Sequence, residues 1–152
     1  MIKILVGGAL FLTVCIPAGF AAPGSSDDSP SKISDSNYKL GEKAVEAENW
    51  IQAIRYLEKA VATDPKNADA WNYLAYSHRQ QGNLEKAFQY YEEALTLDPR
   101  HKGAHEYVGE AYLQTKDLAK AEDHLQQLKE ICGSCEEYQD LAEAIAEFKA
   151  KQ

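Results

Sequence analysis

The chain is short of the residues that staple, charge or arm a small protein. Only three of its 152 residues are cysteine, at positions 15, 132 and 135, too few for a disulfide-rich scaffold. Positive charge is scarce: 16 Lys and Arg stand against 24 Asp and Glu, a formal net charge of −8, and no strongly basic stretch occurs. That balance argues against a duplex-binding protein, whose affinity comes largely from cations neutralising phosphates, and against an anionic membrane surface as partner. There is no Gly-rich phosphate loop, no GxSxG and no visible nucleophile–base pair, so neither catalysis nor a cofactor is expected. No stretch alternates apolar and polar residues as a half-buried strand would. What remains is 45% apolar and 10% aromatic residues, enough for the core of one ordinary domain.

The one long apolar run lies at the N-terminus. Lys3 precedes Ile4 to Ile16, and Pro17, Gly19, Phe20 and Ala21 follow. Charge, apolar stretch and small residues in that order read as a secretory signal peptide over 1–21, cleaved after Ala21. The run is shorter than the roughly 20 apolar residues a spanning helix needs, so the mature chain is expected to have no transmembrane span. The expected destination is the periplasm. A second reading is lipidation: Leu12-Thr13-Val14-Cys15 resembles the bacterial lipobox, which wants Gly, Ala or Ser where Val14 stands. Cys15 would then anchor the protein to an envelope membrane. Residues 22–33 are rich in Pro, Gly, Ser and Asp and are expected to be a disordered linker.

From residue 34 onward the chain resembles itself at a shift of 34. Leu40 meets Leu74 and Val108; Gly41 meets Ala75 and Gly109; Ala53 meets Ala87 and Ala121; Leu57 meets Tyr91 and Leu125; Asp64-Pro65 meets Asp98-Pro99. Within a unit the apolar spacing is helical. Trp71, Leu74, Ala75 and His78 fall at i, i+3, i+4 and i+7. Gly82-Asn83 breaks the run, Leu84, Ala87, Phe88, Tyr91, Ala94 and Leu95 resume it, and Asp98-Pro99 ends it. Each unit is two antiparallel helices. The small residues let helix axes approach within about 8–9 Å. After the third unit, Tyr138, Leu141, Ile145 and Phe148 lie on one face of a last helix over 134–152, which covers the final unit as a cap. Ser134 and Glu137 are expected to form a capping box at its start.

These residues resemble the tetratricopeptide repeat family, whose motif is Trp, Leu-Gly, Tyr, Ala, aromatic, Ala, Pro at fixed offsets. The second unit matches best, with Trp71, Leu74-Ala75, Gly82, Ala87, Tyr91, Ala94 and Pro99. The first has Asn37 at the Trp position and Ala44 at the Tyr position. The third has His105 for Trp, Leu128 for Ala and Gly133 for Pro. The resemblance implies an all-α, right-handed superhelical stack of about seven helices, with repeats at 34–67, 68–101 and 102–133.

Two groups of reactive residues stand out. Cys132 and Cys135 sit at i, i+3 where the third repeat meets the cap. In an exported chain they are expected to form a disulfide that pins the cap. The alternative is a redox-active CxxC, but no βαβ context is present and Glu130, Glu136 and Glu137 disfavour a thiolate. His101 and His105 are four apart, but Val108-Gly109 stands where HExxH needs its second histidine, so no metal is expected. His78 and His105 take the repeat's Tyr and Trp positions and are read as packing. Tyr56, Tyr90 and His124 are also in register.

In this family the first helices of successive repeats line a concave groove that holds a peptide or partner helix. By position, the groove here comprises Asp35, Tyr38, Glu42 and Glu46, then Asp69, Asn72, Tyr76 and Arg79, then Glu106, Glu110 and Leu113. Members that clamp acidic chaperone tails need Lys, Arg and Asn at several of these places, and only Asn72 and Arg79 are of those types. The expected partner is therefore a protein segment that is neutral or basic, with Tyr38, Tyr76 and Leu113 as apolar anchors. The expected function is a non-enzymatic interaction module, an exported adaptor. The alternatives are a thiol–disulfide protein using Cys132 and Cys135, and a lipid-anchored assembly factor.

Overall fold

The computed structural model describes residues 30–151. The signal peptide, its cleavage after Ala21, lipidation of Cys15 and most of the linker lie outside them. Seven helices follow one another among the described residues: α1 (Pro30–Glu46), α2 (Trp50–Thr63), α3 (Ala68–Gln80), α4 (Leu84–Leu97), α5 (Lys102–Gln114), α6 (Leu118–Cys132) and α7 (Glu136–Ala150). The linker boundary needs correcting, because α1 begins at Pro30, inside 22–33. Proline suits a first helical position, where its missing N–H has no partner to lose.

The 34-residue period extends to the chain's punctuation. Asn49, Asn83 and Asp117 cap the second helices, each accepting a backbone N–H three residues on. Asn67 and His101 do the same for α3 and α5. Glu48, Gly82 and Lys116, again 34 apart, all turn with positive φ between first and second helices, at 53°, 76° and 61°. Only Gly82 does so without a Cβ penalty.

Helices pair as hairpins, α1 with α2, α3 with α4 and α5 with α6, and the hairpins stack. Three core clusters mark the stack. The first holds Leu57 and Leu74, the second Tyr91 and Val108, the third Leu128, Leu141 and Ile145. Ala53, Ala87 and Ala121 are fully buried, as the close-approach argument requires. A Cβ at Gly41 would sit 2.6 Å from Leu57, and one at Gly109 would sit 2.6 Å from Leu141. The last contact shows what α7 does. It packs on α5 and α6 where a fourth repeat's first helix would lie, burying Leu141 and Ile145 with Tyr138 and Phe148 beside them.

The expected capping box does not form. Cys135, not Ser134, is the N-cap of α7, and it makes no side-chain cap hydrogen bond. Glu137 is thus in the first turn, where it reaches Lys102 Nζ at 2.9 Å and ties the cap to α5. That partner, with the positive helix end, holds its carboxyl below the usual range although burial opposes it. Ser134 contributes its carbonyl instead, accepting from Gln139.

Candidate partner-binding groove

Contacts of α1 with α3, α3 with α5 and α5 with α7 make one continuous layer of first helices closed by the cap. Its middle is an aromatic chain around a cation. Tyr38 lies 6.2 Å from Tyr73, Trp50 meets Tyr76 edge-on at 5.6 Å, and Tyr76 lies 4.6 Å from Tyr107. The Arg79 guanidinium sits 5.1 Å from the Tyr76 ring centre and 5.8 Å from that of Tyr107. Its Nη2 pairs with Glu110 at 2.6 Å. Arg79 is buried, so its fork is fixed by stacking and pairing together. A depression of about 420 Å³ opens beside it, with Trp50, Tyr73, Tyr76 and Tyr107 on its walls and Glu46 on its rim.

The expected site residues separate into three groups. Tyr76, Arg79 and Glu110 come together in that centre, with Glu106 beside them, and Tyr38 joins through Tyr73. Glu42 sits 3.5 Å from the Tyr38 hydroxyl, while Asp35 and Glu46 are exposed along α1 and Asp69 is exposed on α3. Asp69 accepts from His101 Nε2 at 3.0 Å. Asn72 is buried, with its Oδ1 lacking a partner. Leu113 must be corrected. It is buried in the third core cluster with Leu141 and Ile145, because α7 covers the face on which an anchor would need to be open.

Three aromatic members fall outside the groove positions that the family resemblance gives: Trp50, Tyr73 and Tyr107. Tyr73 and Tyr107 are 34 apart, each one residue after an expected groove position, so the repeat register could have found them. The cap also contributes charge, since Glu137 and Asp140 act on Glu106.

Electrostatically the layer is short of cations. Burial raises the Glu106 carboxyl to about 8, helped by the carboxylates of Glu110, Asp140 and Glu137 and opposed by Arg79. Tyr38 and Tyr73 are pushed up by burial and by Asp69 and Glu42. Tyr107 is pushed up by burial and by Glu106. In each case neighbouring carboxylates add to the desolvation, and Arg79 pulls the other way at Glu106 alone.

At the far end of the third repeat, Cys132 closes α6 and Cys135 opens α7, with Cα atoms 5.7 Å apart and the sulfurs within bonding reach. Gly133 makes the turn between them with φ 74°.

Two family models described as tetratricopeptide repeat match the sequence, over residues 38–102 and 78–145. The chain belongs to the tetratricopeptide repeat family. No curated protein matches it in sequence. Among solved structures, the repeat stack is similar to the Arabidopsis OM64 TPR domain (TM-score 0.73, 14% identity, 78% of this chain and 98% of that one). It is similar to the TPR2B domain of yeast Sti1 in a pHsp70 complex (TM-score 0.73, 13% identity, 80% and 99%). It also resembles the Yersinia enterocolitica type III secretion chaperone SycD in complex with a peptide of the translocator YopD (TM-score 0.67, 17% identity, 77% and 92%). At these identities the likeness establishes the fold, an all-α tetratricopeptide repeat solenoid.

Proposed function

We propose that this tetratricopeptide repeat protein is a non-enzymatic adaptor, exported to the cell envelope, whose first-helix groove holds a neutral or basic segment of another protein. The observation that carries the reading is the cation deficit around Arg79. Its guanidinium is already committed to Glu110, while Glu42, Glu46, Asp69 and Asp140 pair with no arginine or lysine among the described residues, and Asp69 meets only His101. A partner's Lys or Arg would relieve that field, and the tyrosine walls would take the apolar part of the segment. Structural relatives that carry peptides of other proteins, such as SycD with its YopD peptide, support the mode of binding. The charge-ordered apolar N-terminus supports export. The Cys132–Cys135 pair then serves as a structural disulfide that fastens α7. Its loop is so short that its stabilisation lies at the low end of the usual range.

The test begins with a partner isolated from the native envelope. Glu46→Lys and Asp140→Lys reverse exposed charges without disturbing the core. Together they are expected to weaken partner binding at least tenfold, with a shallower salt dependence. Affinity that does not change would overturn the groove assignment. Glu106 and Glu110 are poor choices for charge reversal, because one is buried and the other holds Arg79.

A further inference from the structure

The second and third repeats build the same joint from different rings. In the second, Trp71 Nε1 donates to the Pro65 carbonyl at 2.9 Å, and its ring lies 5.5 Å from Tyr90. Tyr90 also lies 5.4 Å from His78 and packs against both the first and the second core clusters. Thirty-four residues on, His105 Nε2 meets the Pro99 carbonyl at 3.1 Å, and its ring lies 5.2 Å from His124. The backbone partner and the ring contact are both kept. An indole and a phenol have become two imidazoles, which occupy less space. Beside His124 a cleft of about 500 Å³ opens where α4, α5 and α6 meet, lined by Phe88, Glu92, Leu95, Val108 and Tyr112. That volume is within the range of ligand sites.

The hydrogen bonds also set what the cleft offers. A carbonyl only accepts, so His105 carries its proton on Nε2 and presents the lone pair of Nδ1. His124 Nδ1 lies 2.9 Å from that lone pair and must therefore be the donor. Neutral His124 then carries no proton on Nε2, which makes no hydrogen bond among the described residues and is not sealed from solvent. Phe88 and Tyr112 pack on each other with ring centres 4.7 Å apart and His124 stacks on Tyr112, so the cleft presents one continuous aromatic surface beside a free acceptor. Burial lowers the His124 ring to about 4, so the acceptor persists at neutral pH.

We infer that this cleft receives the tyrosine side chain of a partner protein, with its hydroxyl donating to His124 Nε2 and its ring filling the space left where Tyr90 of the second repeat gives way to His124. The site is separate from the groove of the proposed function, on the second-helix side of the stack. The choice of ring follows from Tyr90, which fills the equivalent joint one repeat earlier. A cleft open to solvent lets a ring enter while its main chain stays outside.

The test uses p-cresol, which is the tyrosine side chain itself, with the full protein followed by NMR. Saturable one-site shifts of the His124 ring and of Tyr112 are expected. Toluene, of the same shape without the hydroxyl, should bind about three- to tenfold more weakly. N-acetyl-tyrosinamide should bind at least as well as p-cresol. His124→Tyr, which refills the joint from within, and Thr96→Trp, which blocks the cleft from an exposed lining position, should each abolish the shifts while far-UV dichroism stays helical. Absence of p-cresol shifts at His124 and Tyr112, or survival of the Tyr112 shifts in either variant, would overturn the site. Binding of p-cresol without binding of N-acetyl-tyrosinamide would overturn its assignment to a partner's side chain.

Discussion

The second repeat and the third differ most at one joint. Trp71 and Tyr90 close the second with large rings, while His105 and His124 close the third with small, titratable ones held by the same kind of carbonyl contact. Repeat geometry is therefore carried by the backbone partner and the register, and ring size decides only how full the joint is. A stack whose neighbours are so alike can vary one joint in stability, cavity volume and pH response without losing its shape.

The largest effect that would sharpen this contrast is truncation. Trp71→Ala removes a half-buried indole and its bond to Pro65, and should cost about 2–3 kcal/mol in denaturant unfolding. His105→Ala should cost about half as much. Equal costs would break the contrast. Next, His105→Trp with His124→Tyr rebuilds the second repeat's joint in the third, and should raise stability by about 1–2 kcal/mol. No gain would mean that the histidines fill their space already.

The third prediction concerns pH. Burial holds His105 and His124 below their ordinary 6.5. Across their joint each faces the other; Asp98 on one side and Asp123 on the other oppose the shift, and His101 adds to it. The unfolded chain takes up protons near 6.5 and the folded chain only at lower pH. Stability from this pair is thus complete above 6.5 and is lost as pH falls towards about 4. Thermal melts should show the loss in the wild type and a smaller one in the Trp/Tyr variant. Glu106 has the opposite sign. Its folded value of about 8 lies above the ordinary 4.5, so its stabilisation is complete below 4.5 and lost as pH rises through about 8. Glu106→Gln should remove that alkaline loss, gaining about 1–2 kcal/mol at pH 8, and leave the acid-side loss unchanged. The smallest effect is expected at Lys116, which turns with φ 61° where the second repeat uses Gly82. Lys116→Gly should stabilise by up to about 1 kcal/mol.

These contrasts also mark how far the residues alone could be read. The period of 34 located the helices, the breaks at Gly82-Asn83 and Asp98-Pro99, the buried alanines and the inward face of α7, because equivalent positions face equivalent neighbours. It also held the signal for Tyr73 and Tyr107, which share that spacing. What register does not carry is the rotation and docking of the one helix that is not a repeat. Leu113 was expected as an open anchor, and α7 buries it. Ser134 and Glu137 were expected to cap, but the helix starts one residue later and Glu137 goes to Lys102. Likewise His105 and His124 were each legible as packing residues, but their mutual contact at 2.9 Å and the cleft beside them depend on how α5 and α6 close on each other.

The claim that the groove lacks a cation is tested most directly by NMR titration with two short peptides that share an apolar centre, one flanked by lysine and arginine and the other by glutamate. The account predicts that the basic peptide moves the amide signals of Tyr76, Arg79 and Tyr107, more weakly as salt is added, while the acidic peptide leaves them in place. An acidic peptide that binds at Arg79, or a basic one that leaves those signals unmoved, would contradict it.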